Sequence, residues 1–271
     1  MLPTLLEGAT TRDTLHRYCK VAGAVRRALS PSHPLWWHIS LAAYSEGLTT
    51  TPIEISDHAG TDLEIRLNLC RHRLEIVRGS ESRELDLTVG LTATELGERT
   101  TQLLADLGVE GEFDASHYAD DGARLYDPGS AEEYLLAVRW VASRFARAAQ
   151  EIGGDTGPSQ LWPHHFDLSF EWFGTRTITP EGEAEAEGSR AQIGFGFSLG
   201  DNSVSEPYFY ATPWPFEQQI TSHELPLGAA WYQDQWKGAL LLYETLAAEP
   251  GTLLEDFIKT VHSVASPGLA V

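Results

Sequence analysis

Phe166-Asp167-Leu168-Ser169-Phe170-Glu171-Trp172 (FDLSFEW) is the stretch from which the fold is read. Phe166, Leu168, Phe170 and Trp172 alternate with Asp167, Ser169 and Glu171, the period of a strand with one face in a core. His165 extends the polar face and His164 points the other way. Ile193–Leu199 repeats the design, with Ile193, Phe195, Phe197 and Leu199 on one side and Gly194, Gly196 and Ser198 on the other. In Tyr208–Thr212, Tyr208, Tyr210 and Thr212 alternate with Phe209 and Ala211. Paired antiparallel, these strands would bury Phe166, Leu168, Phe195, Phe197 and Phe209 together. The opposite face would carry His165, Asp167, Glu171, Tyr208 and Tyr210 around a floor of Gly194, Gly196 and Ser198.

Working outward, the spacing predicts strands at Ala229–Tyr232 and Gly238–Tyr243 and a last helix near Thr252–Val264. Upstream, Leu15, Tyr18, Cys19, Ala22, Val25 and Leu29 form the apolar stripe of a helix over Thr14–Leu29, with Arg17, Lys20 and Arg27 off the stripe. Pro31 and Pro34 end it, and Leu35–Leu87 turns to period two, reading as an antiparallel meander. Thr92 and Glu95 make a capping box, Leu91 and Leu96 a hydrophobic staple, and Gly108 the stop of a second helix. Ser130 and Glu133 stand in the capping relation for a third, closed by Gly153-Gly154. Acidic Pro180–Gly188 reads as a solvated loop. The fold class is α+β: antiparallel β-sheets with peripheral helices, as one domain or as two similar halves over 1–153 and 158–271. The halves are suggested by Leu35–Leu41 (LWWHISL), which is echoed in Leu161–Leu168 (LWPHHFDL).

Composition bounds the function. A 42% hydrophobic content over 271 residues can bury a full core, and 39 acidic against 19 basic residues give a charge of −20. That charge repels nucleic-acid and lipid phosphates unless a local basic patch offsets it, and the linear sequence displays none. The partners expected are therefore a small-molecule ligand, with no nucleic acid and no membrane. Cys19 and Cys70 are too few for a disulfide scaffold, and with no secretory leader evident a cytoplasmic protein is expected.

Trp162–Asp167 (WPHHFD), Gly194–Asp201 (GFGFSLGD) and Glu206–Trp214 (EPYFYATPW) resemble, in this order, the motifs of an uncharacterised bacterial family of unknown function. The amino-terminal HPLWWHISLAAYSEGLTTTPI is similar to the opening of the same proteins, so the resemblance covers most of residues 12–264. It implies a family and transfers no activity.

On the strand reading, His165, Asp167, Glu206 and Tyr208 are the candidate catalytic residues, since imidazole, carboxylates and phenol suit acid/base work. Gly194, Gly196, Ser198 and Tyr210 would line a ligand floor. The plainer reading is a wet sheet face whose glycines mark a bulge or a close neighbour. A divalent metal at His165 and Asp167, with Glu206 or His38, is the cofactor alternative, although no third ligand stands at a diagnostic spacing. Gly196–Gly200 matches G-x-S-x-G but lacks the strand-turn-helix context of a nucleophile elbow, and Gly194-Phe195-Gly196 lacks the third glycine of a dinucleotide loop. The expected function is small-molecule binding, with metal-assisted or acid/base catalysis as its enzymatic form. The alternative is a non-catalytic protein-protein interaction module.

Overall fold

The computed structural model describes residues 2–3, 5, 9–55, 60–178, 189–226, 228–247 and 249–270. Their elements are, in chain order, α1 (Ala9–Leu29), β1 (Ala42–Tyr44), β2 (Gly47–Thr49), β3 (Leu63–Asn68), β4 (Arg73–Arg78), β5 (Glu81–Asp86), α2 (Ala93–Asp106) and α3 (Pro128–Ile152). There follow β6 (Asp155–Thr156), β7 (Gln160–Trp162), β8 (Asp167–Ile178), β9 (Ser189–Ser198), β10 (Tyr208–Trp214), β11 (Ala229–Tyr232), β12 (Gly238–Leu242) and α4 (Pro250–Leu269). The chain forms two compact units, Pro3–Arg139 with Gln160–Phe166, and Trp140–Ser159 with Asp167–Val271 and Met1–Leu2. The expected α+β class with antiparallel sheets is what the chain adopts. Pro180–Gly188 lies outside the described residues.

In the first unit β1 to β5 form a meander in sequence order. Leu63, Ile65 and Leu67 of β3 are buried while Glu64 and Arg66 alternate with them, half-buried. The two-residue link Gly79-Ser80 pairs Arg78 with Glu81, and Gly79 takes the positive φ of 58° that such a tight hairpin requires. The α1 stripe of Leu15, Tyr18, Cys19, Ala22 and Val25 is buried as expected. The capping box of α2 is formed: the Glu95 N–H donates to Thr92 Oγ1 at 3.1 Å and the Thr92 N–H to Glu95 Oε2 at 2.9 Å. Gly108, at φ 72°, ends that helix.

Two local expectations are corrected. α3 starts at Pro128, and its first turn is held by Asp127, whose Oδ1 accepts from both the N–H and the hydroxyl of Ser130 at 2.8 Å. Proline at the first helical position needs no N–H partner, so the helix begins ahead of the capping box read at Ser130. Leu35–Leu41 is a 3-10 turn over Trp37–Ile39 rather than strand, because Trp36 adopts a left-handed φ of 60°. The segments that echo each other meet: Leu41 and Leu161 exchange backbone hydrogen bonds of 2.8 Å in both directions.

The second unit's sheet runs β11-β12-β10-β9-β8-β6. Register aligns Leu168 with Phe197 and Phe197 with Phe209, so the apolar sides coincide as the alternation requires. Phe145 of α3 lies 5.2 Å from Phe170 and 6.3 Å from Phe209, and His262 of α4 meets Trp172 edge-on at 4.8 Å. Both helices thus cover the apolar face. Leu168, Phe195, Phe197 and Phe209 are buried, each aromatic contributing ~1.5–3 kcal/mol of burial. Phe166 is the exception. At φ 61° it stands in a turn ahead of β8, its ring 5.3 Å from His16 and 5.0 Å from Tyr134 in the first unit.

Candidate functional site

The polar face of the second sheet gathers most of the residues that alternation assigned to it, and it closes over them. Tyr210 on β10 reaches across Gly196 on β9 and donates its hydroxyl to Asp167 Oδ2 on β8 in a short hydrogen bond. Gly196 is what lets the ring lie flat, since a Cβ there would stand 2.0 Å from Tyr210 Cζ. Gly194 is covered likewise, with Thr212 Oγ1 3.0 Å from the place of its Cβ. At Gly194 and Gly196 the ligand floor read from the sequence is occupied: tyrosine and threonine side chains of the same sheet fill the glycine notches.

The other predicted residues part company. His165 sits in the Pro163–Phe166 turn and not on the strand, so it does not share a strand face with Asp167. The i,i+2 geometry behind the metal reading is absent. Among the described residues no group of three or more His, Cys, Asp or Glu is placed to hold a metal ion. Glu206 is exposed in the loop before β10 and accepts from the neighbouring Ser205 hydroxyl at 2.7 Å, which lowers its carboxyl. Tyr208 is buried and turns its hydroxyl to Asp201 Oδ2 at 2.7 Å, with Trp236 stacked on its ring at 6.2 Å.

Glu171 has the sharper electrostatics. Its Oε2 is buried with no hydrogen-bond partner, and Ser169 donates to Oε1 at 3.3 Å. Burial, reinforced by Asp167 against the Ser169 hydrogen bond, pushes the Glu171 carboxyl up to about 7. The cluster can store a proton. No opening onto it is formed by the glycines meant to provide one.

An open site lies in the first unit, on α1. Lys20, Gly23, Ala24 and Arg27 recur at i, i+3, i+4 and i+7, hence on one helix face. Gly23 lets Pro163 come close, as a Cβ there would lie 2.7 Å from Pro163 Cγ. Lys20, Arg27, His117 and His164 surround a cleft of about 90 Å³, with Ile39 and Pro163 in its wall. Among the described residues Lys20 and Arg27 have no carboxylate at ion-pair distance, whereas Arg17 pairs with Asp120 at 3.3 Å and His117 with Asp114 at 3.7 Å. One turn before Lys20, His16 Nε2 donates to the His164 carbonyl at 3.2 Å, which fixes the turn that carries His164. Burial, with Lys20 next in effect, lowers His16 to about 4. Desolvation of the His164 ring, then the positive charges of His165, Arg27 and Lys20, bring it to about 4 as well. Both imidazoles are neutral at pH 7.

This cluster is a local basic patch that linear reading missed. The signal was present: two bases seven residues apart, with glycine and alanine between them, on the helix side opposite the apolar stripe.

Residues 3–268 match the model of a family of unknown function, DUF5996, and the chain belongs to that family. No curated protein and no solved structure matches the chain.

Proposed function

We propose that the protein binds a small anionic ligand in the α1 cleft, with a dianionic phosphate group as the best charge match. The observation that carries this reading is the pair of bases, Lys20 and Arg27, facing one cleft in a chain of charge −20, with Asp120 and Asp114 acting on them only from beyond ion-pair distance. With twice as many acids as bases, two cations that share a concavity with no carboxylate in direct contact favour an anion from solution. His164 and His117 add donors at the rim, and His164 gains a charge as pH falls toward about 4. The two unpaired cysteines, Cys19 buried and Cys70 exposed, suit a reducing cytoplasm. Among the described residues no helix is long and apolar enough to cross a membrane.

Calorimetry with inorganic phosphate at low ionic strength tests this. Binding should weaken with added salt and disappear in the Lys20→Gln/Arg27→Gln double variant, while Tyr210→Phe leaves it unchanged. Phosphate affinity equal in wild type and double variant would remove the cleft as the site.

A further inference from the structure

A volume of about 90 Å³ is small beside the ~300–1,000 Å³ of pockets that enclose whole ligands, so the cleft seats a charged group and leaves the rest of a ligand outside. What stands next to it is Trp36. Arg27 lines the cleft and its guanidinium lies 5.6 Å from the centroid of the Trp36 ring. That indole is 56% exposed although it belongs to the largest of the apolar side chains. Its backbone is left-handed, φ 60° and ψ 14°, a strained conformation that is uncommon for a bulky residue.

The surrounding turn fixes this arrangement. The Trp36 N–H donates to the His33 carbonyl at 2.9 Å and the Ile39 N–H to the Trp36 carbonyl at 3.1 Å. The His33 N–H donates to His38 Nδ1 at 3.1 Å, His33 stacks on Trp37 at 4.7 Å, and His38 stacks on Trp36 at 5.6 Å. Hydrophobic burial does not account for a strained residue that leaves more than half of its surface in water. A flat aromatic surface held beside a cationic group accounts for it.

We infer that the ligand is an aryl phosphate, a planar ring joined to the phosphorus through one bridging oxygen, its phosphate between Lys20 and Arg27 and its ring on Trp36. This assignment rests on the cleft reading above and adds to it the class of the organic group. Trp36 is then the residue that sets specificity, and Arg27 serves both parts: its charge faces the phosphate while its guanidinium lies over the indole.

Phenyl phosphate and methyl phosphate carry the same charged group and differ only in the ring, so their ratio isolates Trp36. Titrations followed by calorimetry and tryptophan fluorescence should find phenyl phosphate on the order of tenfold tighter in the wild type, the scale of one aromatic stacking contact. Trp36→Gly relieves the left-handed backbone and so retains the turn. It should bring the two affinities together, since the ratio of the two esters reads the ring contact apart from any change in the phosphate contact made through Arg27. Trp36→Asn, also tolerant of that conformation, gives a second backbone-compatible variant. Equal affinities in the wild type, or a phenyl preference that survives both variants, would overturn the assignment while leaving the cleft as an anion site. If neither ester binds the wild type, the cleft reading has failed and the aryl assignment falls with it.

Discussion

The chain holds two polar clusters built on small residues, and they come to opposite ends. In the second unit Gly196 makes a notch on the sheet, Tyr210 lies in it, and the phenol completes a hydrogen bond to Asp167. In the first unit Gly23 makes a notch on α1 and Pro163 enters it, a residue with no N–H and no polar side-chain atom to offer the bases on either side. The first arrangement satisfies its own polar groups. The second leaves Lys20 and Arg27 lining an open cleft, with Asp120 and Asp114 acting on them only from beyond ion-pair distance. Glycine in a regular element thus signals close approach, and the chemistry of whatever approaches decides between a sealed cluster and a site.

The largest effect should follow from reopening the sealed notch. The native φ of Gly196 is not positive and valine favours strands, so propensity alone predicts that Gly196→Val is tolerated. Tyr210 prevents it: a Cβ 2.0 Å from Cζ forces the ring away from Asp167. Denaturant unfolding should report a loss of about 3 kcal/mol, at the top of the range for overpacking. In the Tyr210→Ala background the same change should cost less than half as much, and an undiminished cost would show that Tyr210 does not fill the notch.

Tyr210→Phe keeps the ring and removes the donor, leaving Asp167, which is 8% exposed, short of one hydrogen bond. The expected loss is about 1–2 kcal/mol, with the cleft's phosphate affinity unchanged. An unaltered melting temperature would mean that the closed face is packing alone.

Protonation sharpens the contrast further. Glu171 rises from 4.5 to about 7 on folding, so the folded chain binds the extra proton between those values and the unfolded chain does not. Its stabilising contribution is full below pH 4.5 and is lost as pH rises through about 7. Glu171→Gln keeps the shape and removes the charge, and it should melt higher than wild type at pH 8, by about 1–2 kcal/mol, with the gap closing toward pH 4.5. A gap that does not change with pH would show that Glu171 is ionised in the folded chain.

Much of this was legible in advance for a physical reason. Period-two alternation reports which side of a strand is buried, so Leu168, Phe195, Phe197 and Phe209 were placed together, and Asp167, Glu171 and Tyr210 opposite them. Alternation does not report where a strand begins. His165 and Phe166 continue the pattern by identity, yet Phe166 breaks it with a left-handed φ, and the candidate site lost its histidine there. Nor does alternation say whether a neighbour fills the space over a glycine, because the neighbour's rotamer is a tertiary choice. Thr92 and Glu95 were readable because a capping box is local. The α1 cleft was not read, because half of its lining, Ile39, His117, Pro163 and His164, comes from outside α1.

The smallest effect expected lies on the acid side, in the first unit. His16 has a pKa of about 4 folded against 6.5 unfolded, principally because its ring is desolvated, with the Lys20 charge second. Between those values the unfolded chain binds a proton that the folded chain refuses, so stability falls as pH drops from 6.5 toward 4, opposite in sign to Glu171. The ring remains partly exposed and the Lys20 contribution is screened, which keeps the effect below that of Glu171. NMR titration of the His16 ring should find it neutral at pH 5, and His16→Gln should flatten the acid limb of the stability profile while the rise in stability attributed to Glu171 below pH 7 persists. Saturating phosphate should raise the apparent pKa of His164, since an anion between Lys20 and Arg27 cancels the charges that depress it. A His164 resonance that titrates identically with and without phosphate would separate the imidazoles from the cleft and leave the two bases to hold the anion alone.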